Sequence, residues 1–482
     1  MRNAMIVSCG LTLCVSALGC GGASPGESSE FGSVSTVGEL QSSRALTTST
    51  KFFIPPPDPG AVKQVEQLLR KRKLADALAI TALQIVPSAV WFNGGTAAEV
   101  RRSVQKTSVA AKLEKRVPVL VAYNLPYRDC AQYSSGGALD TAAYNKWIDA
   151  FADGIGKSEA VVILEPDGLG LIPYNTTIFG AEEWCKPTVT DATGATVPAP
   201  GASADERYAQ IQHAVSSLKS RAPNALVYLD ATHSAWLGVA EAAFRIYKAG
   251  FVDGIQQVQG FYINVANYQP TAQAVQFGTW VSSCLAAGTP GVGPSWMQDP
   301  ETGVPHFSWC PGQYDPATDY TTVNYTPEFS AGVTAGIEGL MGGASAQTHF
   351  VIDTSRNGKG VLNTAPYAAS PYNQPPEVIA ALNGGSWCNP YGAGLGLRPS
   401  ANTGVPLLDA YLWVKPPGQS DGACDIAGGA RAWDYTQYNP WGLSGDAANH
   451  FDPLWGLVDP PAGAWFPEQA LQLVRNATPR LL

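Results

Sequence analysis

Six short apolar runs, each ending in a polar or ionisable residue, constrain this chain more than any other feature. They are Val119–Tyr123 running into Arg128-Asp129-Cys130, Val161–Leu164 into Glu165-Pro166-Asp167, and Leu226–Leu229 into Asp230. Further along come Ile255–Tyr262 into Asn264, His349–Ile352 into Asp353, and Tyr411–Val414 into Lys415. An uninterrupted apolar run of this length is what a parallel strand covered on both faces requires. The stretches between the runs have helical spacing, so strand and helix alternate. In α/β folds of this kind the loops after the strand carboxyl ends converge on one mouth, where ligands bind. Several carboxylates are therefore expected to share one cleft.

The first residues read as an export address. Arg2 gives a positive start, Ala4–Leu18 is apolar but too short to span a bilayer, and small residues follow. Residues 1–19 are thus expected to be a signal peptide. Ala17-Leu18-Gly19-Cys20 is similar to the lipobox of bacterial lipoproteins, which would leave Cys20 lipidated and the protein attached to the cell envelope. Ordinary secretion is the alternative. Residues 20–51 are rich in Ser, Thr and Gly with almost no aromatic side chains, and so read as a flexible tether. Residues 52–482 carry no second linker of that kind, and their length suits one α/β barrel.

A net charge of −9 argues against a nucleic-acid surface, which needs clustered Lys and Arg. The one basic cluster, Arg70-Lys71-Arg72-Lys73, falls on a helix expected to open at Asp58-Pro59, with Asp as N-cap and Pro in the first turn. Val62, Val65, Leu68 and Leu69 would form the apolar face of that helix, and the basic residues a solvated one. Of nine cysteines, Cys9 and Cys14 lie in the signal and Cys20 in the lipobox. Cys130, Cys185, Cys284, Cys310, Cys388 and Cys424 remain, an even number that suggests disulfides in an exported protein. None of the zinc spacings occurs and no His-Glu-x-x-His helix exists among five histidines, so neither a metal nor another cofactor is expected.

A carboxylate just past a buried strand is partly desolvated, which raises its pKa and keeps it protonated near neutral pH. Asp167 in Glu165-Pro166-Asp167-Gly168 is placed for this, and a general acid needs it. Taken alone, Asp167 could instead cap a helix. Asp129, beside Arg128, is either a loop ion pair or a second acid; a neighbouring negative charge would push one of the two pKa values up. Asp230, with His233 and Trp236 close behind, and Asp421, in a loop rich in turn residues, supply two more. Four acids at corresponding strand ends point to glycosidase-like chemistry. Among 13 Trp and 19 Tyr, Tyr123, Trp236, Tyr262, Trp387 and Trp413 stand beside these motifs. Flat rings suit the C–H faces of sugars, while a few polar groups fix orientation. Most of the Trp residues are expected to fill the core; Trp387, in a polar loop, is the better binding ring.

Taken together, Tyr123 through Cys130, Leu164 through Asp167, Tyr228 through Trp236 and Gly260 through Tyr268 resemble glycoside hydrolase family 6. Asp353 through Gly358, Trp387-Cys388-Asn389 and Lys415 through Gly422 extend that resemblance, in the family's order, over residues 52–482. It implies a distorted α/β barrel with fewer than eight strands and inverting hydrolysis of β-1,4-glucan. Asp167 would be the general acid, Asp129 would tune it, and Tyr123 would press the sugar towards a distorted ring. Ser135 would hold the water chain and Asp421 would be the catalytic base, the two carboxyls of an inverting enzyme standing roughly 6.5–9.5 Å apart. Asp230, His233, Trp236, Asn264, Trp387, Lys415 and Gln419 would bind substrate. The resemblance also implies disulfides Cys130–Cys185 and Cys388–Cys424, leaving Cys284 for Cys310.

Two positions depart from the family pattern. Gln419 stands where Glu is usual, and Thr232 where Gly is usual. Short stretches at Ser134–Ala138 and after Asp421 favour an open-cleft endo-acting enzyme, although segments 174–203 and 425–460 are long enough to cover a cleft. An exo-acting cellobiohydrolase is the alternative, and Gln419 also admits a catalytically impaired β-glucan-binding lipoprotein. No Gly-x-Ser-x-Gly elbow supports a serine hydrolase. The expected partner is a β-1,4-glucan chain, bound by a monomer.

Overall fold

The computed structural model describes residues 45–482 apart from Gln132 and Asp319. The signal, Cys20 and most of the tether read from the sequence lie outside the described residues.

Seven parallel strands form the central sheet. They are β1 (Val90–Phe92), β2 (Val119–Ala122), β3 (Ala160–Leu164), β4 (Ala225–Asp230), β5 (Gly260–Ile263), β6 (His349–Asp353) and β7 (Leu408–Leu412). They pair strictly in chain order. The sheet curls until its edges meet, where Ala89 N–H donates to the Trp413 carbonyl at 2.9 Å and the Trp91 indole to the Val414 carbonyl at 2.7 Å. The result is the distorted barrel with fewer than eight strands. Helices α1 (Pro59–Arg70), α2 (Leu74–Leu83), α3 (Ala97–Leu113), α4 (Thr141–Ile155), α5 (Ala204–Arg221), α6 (Val239–Gly250), α7 (Thr271–Gly288) and α8 (Pro327–Met341) include the crossovers that carry the chain from one strand to the next.

Strand alternation divides the core in two. Val119, Val121 and Tyr123 point into the barrel with Val161, Ile163, Tyr228, Tyr262 and Val351. Leu120, Ala122, Val162 and Leu164 point out against Trp147, Phe151, Ile211 and Leu218 of the helices. Runs buried on both faces thus follow from the layering. Tyr123 falls on the inward parity at the carboxyl end of β2, which aims its ring at the mouth.

The sequence reading needs three corrections here. Val90–Phe92 is a strand too short to show as an apolar run. Ile255–Tyr262 is not continuous: Phe251–Val252 and Ile255–Gln256 pair as a hairpin, and the barrel strand starts at Gly260. Helix α1 opens as expected, the Asp58 carboxylate accepting from Gly60 N–H at 2.7 Å, but it buries Ala61, Gln64 and Leu68. Val62 and Leu69 are 46% and 50% exposed. The reason is polar: Gln64 donates to the Pro467 carbonyl at 2.9 Å and accepts from the Trp465 indole at 2.7 Å, which turns that face inward. The Arg70–Lys73 cluster is exposed, as expected.

Candidate active site

A cleft of about 280 Å³ opens at the carboxyl ends of the strands. Tyr123, Asp129, Asp167, His233, Trp236, Trp387, Lys415 and Asp421 all line it. Residues from five loops, up to 298 positions apart in sequence (Tyr123 to Asp421), thus share one wall because parallel strands deliver every loop to the same end.

Asp167 follows β3 on a turn with φ of 63° at Asp167 and 53° at Glu165. Left-handed backbone at two non-glycine residues is costly and persists only where neighbours hold it. Glu165 is fully buried, and its Oε2 accepts from Asn124 N–H at 2.8 Å and Leu125 N–H at 3.1 Å, locking this turn to the loop after β2. Asp230 holds the other side, accepting from Leu169 N–H at 3.2 Å, Gly170 N–H at 3.0 Å and Thr232 N–H at 2.7 Å. Between these clamps the Asp167 carboxyl has no hydrogen-bond partner among the described residues. Burial, and then the Asp230 and Asp129 charges, pushes it well above the usual carboxylate range.

Asp421 is the opposite case. Its Oδ2 accepts from Arg356 Nη1 at 2.9 Å, the Tyr268 hydroxyl at 2.9 Å and Asn389 N–H at 3.0 Å. Among the described residues its Oδ1 faces the Lys415 ammonium alone, at 3.4 Å. Burial works to raise this carboxyl, but the Arg356 and Lys415 cations more than offset it and hold it below the ordinary value. Burial pulls the Lys415 ammonium down in turn. Asp129 lies between the two extremes: burial lifts it to about 6, against a 2.7 Å hydrogen bond from Ser134 N–H. A carboxyl pushed up and another held down are the two environments that acid and base work call for.

The remaining side chains frame the cleft. The Tyr123 ring meets Trp91 edge-on at 5.3 Å, with the Arg128 guanidinium 4.7 Å from its centroid. Lys415 Nζ lies 6.0 Å from the Trp91 centroid and donates to the Ser420 carbonyl at 3.0 Å. His233 packs 5.7 Å from Trp236, and burial brings its ring down to about 3, so it is neutral. Trp387 leans on Tyr133 at 6.0 Å beside the Cys388–Cys424 disulfide. The other two disulfides are Cys130–Cys185 and Cys284–Cys310.

Four residues expected at the cleft are placed elsewhere. Ser134 lines the cleft while Ser135 is exposed at the rim. Asp230 stands behind the wall, its carboxylate occupied by the three backbone donors. Asn264 is buried, donating to the Asp353 carbonyl at 2.9 Å and accepting from Gln269 N–H at 3.0 Å. Gln419 turns into a neighbouring groove and donates to Asp58 Oδ2 at 3.2 Å. Thr232 takes a φ of 60°, as a position usually held by Gly would require. Conversely, Trp91, Trp184, Tyr268, Arg356 and Asn389 belong to the site without having been singled out. Arg356 and Asn389 lie inside recognisable motifs, and only folding shows that both serve Asp421.

A model of the glycosyl hydrolases family 6 matches residues 47–477. The chain belongs to that family. It is 30% identical to Endoglucanase 1 of Streptomyces halstedii over 391 residues, which is 81% of this chain and 87% of that protein. It is 27% identical to the 1,4-beta-D-glucan cellobiohydrolase C of Emericella nidulans over 426 residues, 84% of this chain and 71% of that one. Three further endoglucanases are longer, the matched regions covering 52%, 65% and 57% of their lengths. Among solved structures, the endoglucanase Cel6 from Mycobacterium tuberculosis, bound to a thio-linked cellobioside, shares 25% identity with a TM-score of 0.53. The match covers 89% of this chain and 97% of that one. This family 6 chain therefore keeps the parallel-strand scaffold and its single mouth.

Proposed function

We propose that this chain is an inverting endo-β-1,4-glucanase in which Asp167 is the general acid. The carrying observation is the contrast within one aromatic-walled cleft: an unpaired Asp167 carboxyl pushed up, and an Asp421 carboxylate held ionised by Arg356 and Lys415. Asp167 donates its proton to the glycosidic oxygen as that bond breaks. Water attacks the anomeric carbon from the opposite face, so the product is released as the α-anomer. Asp421 Oδ2 is taken by three donors, which leaves Oδ1 to draw the proton from that water, directly or through a second water. Tyr123 supports the distorted ring, and Asp129 keeps the Asp167 proton in place through its charge.

The endo reading is supported by the short loops at Ser134–Ala138 and after Asp421, and by the name of the 30%-identical Streptomyces relative. Viscosity and reducing ends followed together on carboxymethylcellulose test it. A fast viscosity drop with few new ends is expected; steady cellobiose release with little viscosity change would mean exo action.

The three disulfides fit an exported protein. The lipobox-like run supports attachment through a lipidated Cys20, with residues 20–51 as the tether. Cys20→Ala should move the enzyme from the membrane fraction to the soluble one; an unchanged distribution would refute the anchor.

A further inference from the structure

Trp184 lines the same cleft as Asp167, yet it is 56% exposed. Other rings, such as Trp296 and Trp309, are nearly as exposed, but Trp184 is exposed inside the cleft, where aromatic walls contact ligands. Its neighbours do not share the exposure. Cys185 is fully buried, bonded to Cys130, and its carbonyl accepts from Tyr174 N–H at 3.0 Å. Glu183 N–H donates to the Asn175 carbonyl at 2.9 Å, and the Glu183 carboxylate receives Arg245. Arg245 also bonds Glu241 at 2.7 Å and the Leu169 carbonyl at 2.7 Å, which ties this segment to the loop that follows Asp167. The backbone is pinned on both sides, which fixes the point at which this side chain leaves the wall of the cleft.

The strand order gives the ring its place in the cleft. Trp91 and Lys415 mark the junction where β1 meets the end of β7. Trp236 and Trp184 come from the loops after β4 and β3, opposite that junction. Trp236 lies directly on the loop backbone, for a Cβ added at Gly170 would fall 2.8 Å from its Cη2, so it is the inner ring of the pair. Trp184 is the outer one.

We propose that Trp184 is a stacking platform for a glucose unit beyond the one held at Trp236, so that it selects for longer glucan chains. The apolar face of a pyranose matches an indole, and a Trp side chain has only two χ angles to order when it binds. This rests on the β-glucanase reading. The test compares the parent with Trp184→Ala and Trp184→Phe on cellotetraose and cellohexaose, with kcat and KM measured separately. Trp184→Ala should lose about tenfold in kcat/KM on cellohexaose, mostly through KM, and several-fold less on cellotetraose. Trp184→Phe should recover most of the difference. Equal losses on both substrates, or no loss on either, overturn the proposal. If the parent cleaves neither substrate, the glucanase reading fails, and calorimetric binding of cellohexaose decides this point: weaker binding by Trp184→Ala upholds the platform, and equal binding refutes it.

Discussion

The Arg356 guanidinium donates to the Asp421 carboxylate at 2.9 Å, and both groups are shut away from solvent, at 0% and 6% side-chain exposure. Burial works to raise the Asp421 carboxyl; Arg356, with Lys415, more than offsets it. A group that must be ionised loses function as pH falls through its pKa. Weakening the cation raises that pKa, so the acid limb of kcat/KM should move to higher pH in Arg356→Lys. The Lys variant is preferable to Arg356→Leu, since stranding a buried charge costs about 3–5 kcal/mol. The pH profile of the folded variant checks this, and an unmoved acid limb would remove Asp421 from the reaction.

Asp167 must be protonated to work, so activity falls as pH rises through its raised pKa. Burial is the leading cause of that elevation, followed by the Asp230 and Asp129 charges. Asp129→Asn removes one of those charges and should bring the alkaline limb to lower pH while leaving the acid limb in place. An alkaline limb at the parent's pH would mean that Asp129 does not tune the acid.

Replacing the acid itself gives a larger effect. Asp167→Asn should reduce kcat on cellohexaose by roughly 10²–10⁴-fold, with little change in melting temperature, because its carboxyl makes no hydrogen bond among the described residues. An aryl glycoside with a good leaving group needs less protonation and should lose less. Hydrolysis of cellohexaose at the parent rate would make Asp167 a bystander.

The path from sequence to site was readable where chemistry and strand parity coincide. Tyr123, Asp167 and Lys415 sit at the ends of apolar runs, and the parallel fold carries such ends to one mouth whatever the loops do. Residues whose role depends on a distant partner were not readable in that way. Arg356 meets Asp421 across 65 positions, and the motif around it does not show which residue it serves. Trp91 was hidden by the shortness of its strand, three residues before an Asn-Gly-Gly turn. Asp230 and Asn264 carry the polar groups a sugar site would use, yet backbone N–H and C=O groups take them first, because loops so tightly turned leave donors and acceptors that burial requires to be paired. Gln419 was placed by its motif, and its side chain follows Asp58 instead.

Three disulfides close loops with sequence separations of 55, 26 and 36 residues. Each is expected to contribute roughly 2–4 kcal/mol. The Cys130–Cys185 bond is the informative one, since Cys130 directly follows Asp129 and has a φ of 43°. The Cys130→Ser/Cys185→Ser double variant should therefore lower both the melting temperature and kcat, whereas Cys284→Ser/Cys310→Ser, at residues that do not line the cleft, should lower the melting temperature alone. Equal effects on kcat would show that the bond near Asp129 has no special part in placing it.

Behind Asp421 the Asn389 amide donates to Asp459 Oδ2 at 2.8 Å, while its Oδ1 accepts from Asp421 N–H at 2.9 Å. The Asp459 carboxyl also feels the charge of Asp452, which Arg431 holds at 2.9 Å, and its Oδ1 has no hydrogen-bond partner among the described residues. Burial, then the Asp452 charge, pushes Asp459 up to about 9. The unfolded chain releases this proton near the ordinary Asp value of 3.8, the folded one only near 9. Across that window the folded state binds more protons, so stability falls as pH rises and levels off above it. An amide oxygen still accepts from Asn389 and has no proton to lose. Asp459→Asn should therefore fold normally and lose less stability than the parent between about pH 5 and pH 9, by denaturant titration at each pH. Parallel curves for parent and variant would mean that Asp459 does not carry this proton.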